Sequence, residues 1–183
     1  MRNVCVSLAA LLLVIGAVPN RADASPVLSI QPTESIVSVG ETANVSVVIT
    51  DVLDLYAFQF SFVFDPAVVS VVNVSEGSFW SATGNFLPGF DTGTGAVEFI
   101  ADTLNGPTGI GGSGTLAVVS LRLISPAKTA LSVSDVILLD SNLGDVVAEV
   151  RSANLRVPEA SSVLMTLLGL GLGAPLLGRR RAA

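Results

Sequence analysis

Carboxylates supply most of the chemically reactive side chains in this sequence. It contains 15 Asp and Glu residues, no histidine and one cysteine, Cys5. Histidine is the usual general base and cysteine a usual nucleophile, so the routes to catalysis are few. Asp51 and Asp54 are the closest pair of carboxylates, but both are expected in a turn beside a strand, and a solvated turn is the favoured interpretation. We therefore predict no catalytic residues and a protein that is not an enzyme.

Metal and cofactor chemistry has equally little support. The segment "DSNLGD" places Asp140, Asn142 and Asp145 as in part of a calcium loop, but it lacks the spacing and the final glutamate of such loops. A β-turn is favoured because Asp, Asn and Gly form turns, and calcium binding between Asp140 and Asp145 stays open. The glycine-rich "GPTGIGGSG" (106–114) lacks the Lys-Ser/Thr of a phosphate loop. We predict no metal site and no cofactor.

Two classes of binding partner can be weighed from the same residues. Phe79 and Trp80 are adjacent aromatics that could stack on a sugar, although packing under a neighbouring loop is favoured because tryptophan is mostly buried. Between residues 25 and 157 there are 13 acidic and four basic residues, a net charge of −9. Nucleic acid requires clustered Lys and Arg, so we exclude it as a partner.

The segments that carry these candidate residues are predicted to be β-strands. In "YAFQFSFVF" (56–64) Tyr or Phe occupies every second position, and Ala57, Gln59 and Ser61 lie between them. A period of two predicts a strand with one face in a core. Short strand-like segments separated by Gly- and Pro-containing turns predict an all-β sandwich or barrel. The other predicted strands are "ANVSVVIT", "AVVSVVNV", "AVEFIAD", "TLAVVSLRLI", "TALSVS", "VILLD", "VVAEV" and "ANLRV".

The first 24 residues have the layout of a secretory signal peptide. Arg2 gives a positive start, residues 4–18 are apolar, and Ala22-Asp23-Ala24 is a small-x-small cleavage site. We predict cleavage after Ala24; an uncut membrane anchor is the alternative. Cleavage would remove Cys5, so the mature chain would contain no disulfide.

The C-terminal segment predicts a membrane span. Residues 160–178 carry no charge and, as a helix, would extend about 28 Å, roughly the hydrocarbon thickness of a bilayer. Arg179, Arg180 and Arg181 follow directly, and such a cluster stays cytoplasmic. We predict that the tail holds the preceding domain outside the inner membrane.

Val157, Pro158 and Glu159 precede this span, and the order of motif, apolar helix and arginine cluster resembles the PEP-CTERM sorting signal. Ala160 stands where the second proline of that motif usually lies. The resemblance implies recognition and processing by an exosortase, a membrane cysteine protease or transpeptidase. An ordinary tail anchor without processing is the alternative.

The central segment has a set of motifs in a fixed order: Val39-Gly40 before a Val-rich strand, the aromatic strand ending in Phe64-Asp65-Pro66, the run "GSGTLA" (112–117) and "LLDSNLGD". With these motifs the segment resembles a cohesin domain, the dockerin-binding module of cellulosomes. The resemblance implies a single jelly-roll β-sandwich of about nine strands, related in fold to several carbohydrate-binding modules. A dockerin-like protein or a polysaccharide is the implied partner.

The sequence thus predicts three regions: a signal peptide (1–24), a cohesin-like β-sandwich (25–157) and a sorting tail (158–183). The predicted function is binding by an exported protein, at the cell surface or in the extracellular matrix, with a link to polysaccharide processing. A structural component of an exopolysaccharide matrix, without a discrete partner, is the alternative.

Overall fold

A computed structural model describes residues 25–80 and 84–156, and that part of the chain is built from β-strands. Strands alternate with turns along the whole described sequence. In chain order they are β1 (Val27–Gln31), β2 (Glu34–Ile36), β3 (Thr42–Leu55), β4 (Ala57–Val63), β5 (Val69–Glu76), β6 (Leu87–Asp91), β7 (Ala96–Thr103), β8 (Ile110–Leu123), β9 (Lys128–Leu139), β10 (Glu149–Arg151) and β11 (Ala153–Arg156).

The strands form two sheets that pack face to face. One sheet has five strands in the order β10-β1-β3-β8-β5, and the other has six in the order β2-β11-β9-β4-β7-β6. Most neighbours are antiparallel, while β1–β10 and β2–β11 are parallel. The predicted all-β sandwich is confirmed.

The aromatic strand lies at the centre of the six-stranded sheet. Phe58, Phe60, Phe62 and Phe64 are buried between the sheets, and Tyr56 packs against them at the start of the strand. The intervening residues of β4 point to the outer face, as the period of two predicted. Val, Ile and Leu side chains of β1, β3 and β8 meet the aromatic rings from the five-stranded sheet. Among the described residues, the buried apolar side chains lie between Leu28 and Leu155, where they pack the two sheets together.

The strand count and two strand assignments differ from the sequence prediction. The described ranges contain eleven strands where about nine were expected, because β1, β2 and β6 were not predicted and two predicted strands form one. "TALSVS" and "VILLD" are one strand, β9, interrupted by an extra residue near Asp135. The segment "LPGFD" resembles a turn because of its Pro-Gly pair, but it forms the strand β6. Pro88 is tolerated there because β6 is an edge strand.

The two ends of β9 mark opposite ends of the sandwich. Leu139 pairs with Ala57, while Lys128 pairs with Arg156 at the other end of the strand. The described chain enters near Leu139, where the Glu149 amide donates to the Pro26 carbonyl, and its last strand finishes beside Lys128.

No helix in the described ranges, 25–80 and 84–156, is long and apolar enough to cross a membrane. The predicted span at residues 160–178 lies outside those ranges.

Candidate functional site

An open hollow of about 350 Å³ lies on the outer face of the six-stranded sheet. Strand register places its residues in two rows that cross the strands. One row contains Leu139, Ala57 and Thr103, and the next contains Ile137, Gln59, Ala101 and Leu87. Both rows lie at the end of the sheet where β9 finishes. The floor and walls are mainly apolar.

Two β-bulges flank β4 at the lower edge of the hollow. β7 has one residue more than β4 between Phe60 and Phe62, and β9 has one more between Gln59 and Ser61. Phe99 in β7 and Asp135 in β9 have positive φ values of 59° and 51°. Bulges bend the strand that carries them, so two at the same level curve the sheet around the hollow. Non-glycine residues held at positive φ cluster at functional sites, which favours this face as the site.

Polar groups line the hollow's rim. The Asn85 side-chain amide donates a 2.6 Å hydrogen bond to Oδ1 of Asn105, which holds Asn85 beside the entrance. Gln59 and Thr103 add an amide and a hydroxyl within the rows. A concave apolar surface with a few oriented polar groups is typical of a binding site.

The apolar surface continues from the hollow along β6 and β9. Leu87, Phe90, Phe99 and Ile137 are all exposed large side chains. The Phe90 and Phe99 rings stack with their centroids 5.6 Å apart. Contiguous exposed apolar surface of this kind marks interaction sites on soluble proteins.

The charges on this face are of both signs. Glu98 on β7 and Asp135 on β9 lie nearer the hollow, while Lys128 on β9 and Arg156 on β11 pair at the far end of the sheet. β4, at the centre of the face, carries no charge. The hollow therefore lies closer to the negative charges of this face than to its positive ones.

A buried carboxylate lies behind the hollow. Asp102 follows hollow residue Ala101 on β7 but points inward, and it is 4% exposed. Its Oδ1 accepts the Thr103 amide, whereas its Oδ2 has no hydrogen-bond partner. Glu76 of the opposite sheet faces the same small cavity, which has no room for a water-sized sphere, and its Oε1 is also unpartnered.

Burial raises the pKa of Asp102 above its ordinary value of 3.8. The Thr103 amide opposes that shift, and the charge of Glu76 adds to it. Phe58 and Leu116 line the small cavity beside the two carboxyl groups, and Asp102 also borders the hollow.

Asp51 and Asp54 do not lie in the predicted turn: both belong to β3, and each is hydrogen-bonded to a serine. The Asp51 amide donates to Oγ of Ser113, while Oδ2 of Asp54 accepts both the amide and the hydroxyl of Ser141. The two residues line a second hollow, at the entry end of the sandwich. No histidine accompanies them, because the chain has none.

The segment from Asp140 to Asp145 forms a turn. Oδ1 of Asp140 accepts the amides of Asn142 and Gly144, both at 2.8 Å, and the Asp140 amide donates to the Gly144 carbonyl. One oxygen that a calcium ion would need is therefore used to close the turn. Within the described ranges, no cluster of three or more acidic, Cys or His residues is placed to hold a metal ion.

Phe79 and Trp80 do not form an open stacking surface. Trp80 is 3% exposed, and its ring packs on Phe58 with a centroid distance of 5.2 Å. Phe79 is partly buried beside it. Trp80 therefore packs in the core, as the favoured interpretation predicted, and its covered indole has no free face on which a sugar could stack.

The other predicted site residues lie outside the described ranges. They are the cleavage-site residues Ala22 and Ala24, the motif residues Val157, Pro158 and Glu159, and the cluster Arg179, Arg180 and Arg181.

Sequence reasoning missed the residues that shape the hollow. Leu87 and Phe90 lie on β6, in a stretch whose Pro88 and Gly89 resemble a turn. The signal that could have found them is the spacing of apolar residues around that Pro-Gly pair in "FLPGF".

Architecture and surface define the class first: this is an all-β sandwich of five- and six-stranded sheets with an open hollow on one outer face. The Cohesin domain family model matches residues 26–155, nearly all of the described chain. The chain therefore belongs to the cohesin domain family. The comparison with curated protein sequences returned no match.

Solved structures share the fold at low sequence identity. A non-cellulosomal cohesin from the hyperthermophilic archaeon Archaeoglobus fulgidus is 16% identical with a TM-score of 0.60; the match covers 78% of this chain and 98% of that one. A type II cohesin domain from the cellulosome of Acetivibrio cellulolyticus is 17% identical with a TM-score of 0.62, covering 72% and 95%. The sixth cohesin from scaffoldin B of A. cellulolyticus, solved in complex with a Cel5 dockerin variant, is 18% identical with a TM-score of 0.61, covering 73% and 99%.

These solved chains consist of little more than the matching domain, and they fold in that form. Residues 25–156 are the corresponding unit in this protein and contain the core described above.

Proposed function

We propose that this protein is a non-catalytic binding module that captures a dockerin-like protein through the outer face of its six-stranded sheet. The observation that carries the proposal is the hollow, with its apolar floor, polar rim and flanking bulges. Membership of the cohesin family supports the class of partner, because a cohesin of the same fold has been solved in complex with a dockerin.

The physical basis of binding is burial of the exposed apolar side chains. Leu87 and Ile137 stand at the two sides of the hollow, on β6 and β9. A partner side chain that fills the hollow would remove both from water, and such central anchors dominate the energetics of protein interfaces. The net charge of −9 on residues 25–157 would steer a basic partner and make the association rate fall with salt.

We further propose that the protein is exported and sorted. The N-terminal 24 residues would direct it across the inner membrane, and the tail would hold it there for processing by an exosortase. Its destination would be the cell surface or the extracellular matrix, where binding serves assembly around polysaccharide. Only the sequence patterns of the two termini support this part of the proposal.

Isothermal titration calorimetry of residues 25–156 tests the binding proposal. The titrants are a dockerin encoded in the same genome and, in parallel, the producer's own polysaccharide. We expect heat with the dockerin alone. Heat only with the polysaccharide would replace the protein partner with a carbohydrate, and no heat with either would favour a structural matrix role.

A matched pair of variants locates the binding face. Ile137→Asp introduces a charge in the hollow, at a side chain that is 45% exposed. Val72→Asp makes the same change on β5 of the other sheet, at a side chain that is 59% exposed. We expect Ile137→Asp to weaken dockerin binding by about 2 kcal/mol or more, as for a central interface residue, and Val72→Asp to leave it unchanged. Equal effects would remove the hollow from the proposal.

A further inference from the structure

Phe90 and Phe99 form an exposed aromatic pair beside the hollow. Their side chains are 53% and 52% exposed, and their rings stack at 5.6 Å with an interplanar angle of 22°. Phe90 lies on the edge strand β6 and Phe99 on the neighbouring strand β7. The two rings keep a broad π surface in water, where a packed core would normally cover it.

The backbone is held in an unusual conformation to present this pair. Phe99 has a φ of 59°, which is a genuine outlier for a bulky side chain. Gly89 has a φ of 74°, and a Cβ added there would lie 2.3 Å from the Glu98 carbonyl oxygen. Phe90 is the direct cross-strand partner of Glu98, so the extra residue of the bulge adds Phe99 to the face that Phe90 and Glu98 share.

Glu98 supplies a charge next to the rings. Directly opposite residues of an antiparallel pair project from the same face, so the Glu98 and Phe90 side chains lie side by side. In the described part of the chain, the ion pair joins Arg151 to Glu149, and Glu98 has no basic partner. Asp135 adds negative charge on β9, while Lys128 and Arg156 lie at the far end of the same sheet.

We propose that Phe90, Phe99 and Glu98 form a subsite for an arginine side chain of the protein partner. The flat guanidinium stacks on a phenyl ring while its N–H groups donate to the Glu98 carboxylate. Arginine suits this arrangement better than lysine, because its planar, weakly hydrated group can stack and donate at once. The inference rests on the proposed binding function and adds the charge and shape of one partner side chain.

NMR titration of residues 25–156 with small probes tests the subsite without the natural partner. The probes are N-acetyl-arginine amide, the corresponding lysine amide and the corresponding citrulline amide, which is planar but uncharged. We expect the arginine probe to shift the ring resonances of Phe90 and Phe99 and the side-chain carboxyl resonance of Glu98. The lysine probe should bind several-fold more weakly, and the citrulline probe should give no saturable shift.

Three variants separate the contributions. Glu98→Gln removes the charge and should weaken arginine binding about three- to fivefold, within the range of an exposed ion pair. Phe90→Leu removes a π face but keeps apolar volume, and should weaken it by a similar factor. Asp51→Asn removes one charge at the loop end of the sandwich and is the control, with no expected change. Its φ of 55° suits asparagine, which tolerates that conformation.

The outcomes distinguish the subsite from the proposed function. Arginine and citrulline probes with equal affinity, or an arginine affinity that neither Glu98→Gln nor Phe90→Leu lowers, would overturn the subsite. The same two variants are then measured against the dockerin. Dockerin binding that Ile137→Asp abolishes and these variants leave unchanged would refute the subsite and keep the hollow. Arginine binding at the subsite without any dockerin binding would refute the proposed function instead.

Discussion

Replacing Phe60 by alanine perturbs the core where the sheet is most constrained. Phe60 is fully buried, stacks on Phe58 at 5.5 Å, and lies at the level of both bulges that flank β4. A phenylalanine buries about 150–250 Å² of surface, which at about 25 cal/mol per Å² corresponds to roughly 4–6 kcal/mol. Alanine keeps part of this area, so we expect a loss of about 3–5 kcal/mol in the free energy of unfolding.

The assay is urea unfolding of residues 25–156, followed by tryptophan fluorescence. The fluorophore is Trp80, which packs on Phe58 and so reports on the same core. We expect a lower midpoint with an unchanged slope, and a melting temperature reduced by more than about 10 °C.

Gln59→Ala is the matched control on the same strand. Gln59 points to the outer face and lines the hollow, so we expect it to cost less than about 1 kcal/mol. Equal losses for the two variants would mean that both faces of β4 are buried, and would refute the assignment of the hollow to an open surface.

The remaining predictions concern pH and the two termini. Because the pKa of Asp102 is raised, the folded state binds more protons than the unfolded state above pH 3.8. The contribution of Asp102 to the free energy of unfolding therefore falls as the pH rises from 3.8 to the pKa of the folded state. The unfolding free energy of wild type minus that of Asp102→Asn should therefore decrease over that interval, and a constant difference would contradict burial as the cause of the raised pKa. Deleting residues 1–24 should leave the protein in the cytoplasm, as cell fractionation would show, because the apolar segment carries the export signal. Glu159→Ala should leave thermal unfolding within about 0.5 kcal/mol but cause a longer, unprocessed form to accumulate in a host with the matching exosortase. An unchanged mass of the mature product would argue against the sorting signal.

The centre of the fold could be predicted because its signal is local and repeated. The alternation in β4 identifies both its buried and its outer face, since a strand with one buried face must have a period of two. The same reasoning placed β3, β5, β7 and β8 correctly in outline.

The hollow could not be predicted, because its shape depends on register between strands distant in sequence. One extra residue in β9 made the segment around Asp135 resemble a break between two strands. Pro88 and Gly89 made β6 resemble a turn, although an edge strand needs no ladder hydrogen bonds on its open side. The role of Trp80 could not be predicted for a different reason. A tryptophan suits both stacking on a sugar and packing in a core, and only its tertiary contacts distinguish the two.

Because the two ends of β9 lie at opposite ends of the sandwich, the hollow is far from the point where the described chain ends. The last described strand finishes at Arg156, beside Lys128, whereas the hollow lies near Leu139. β9 has 12 residues, so these two ends are separated by roughly 35 Å at about 3.3 Å per residue. A chain tethered to a membrane through its C-terminal tail would hold the hollow at the end away from the bilayer. The sandwich itself would then act as the spacer, giving a bulky partner clearance from the lipid surface without a long linker.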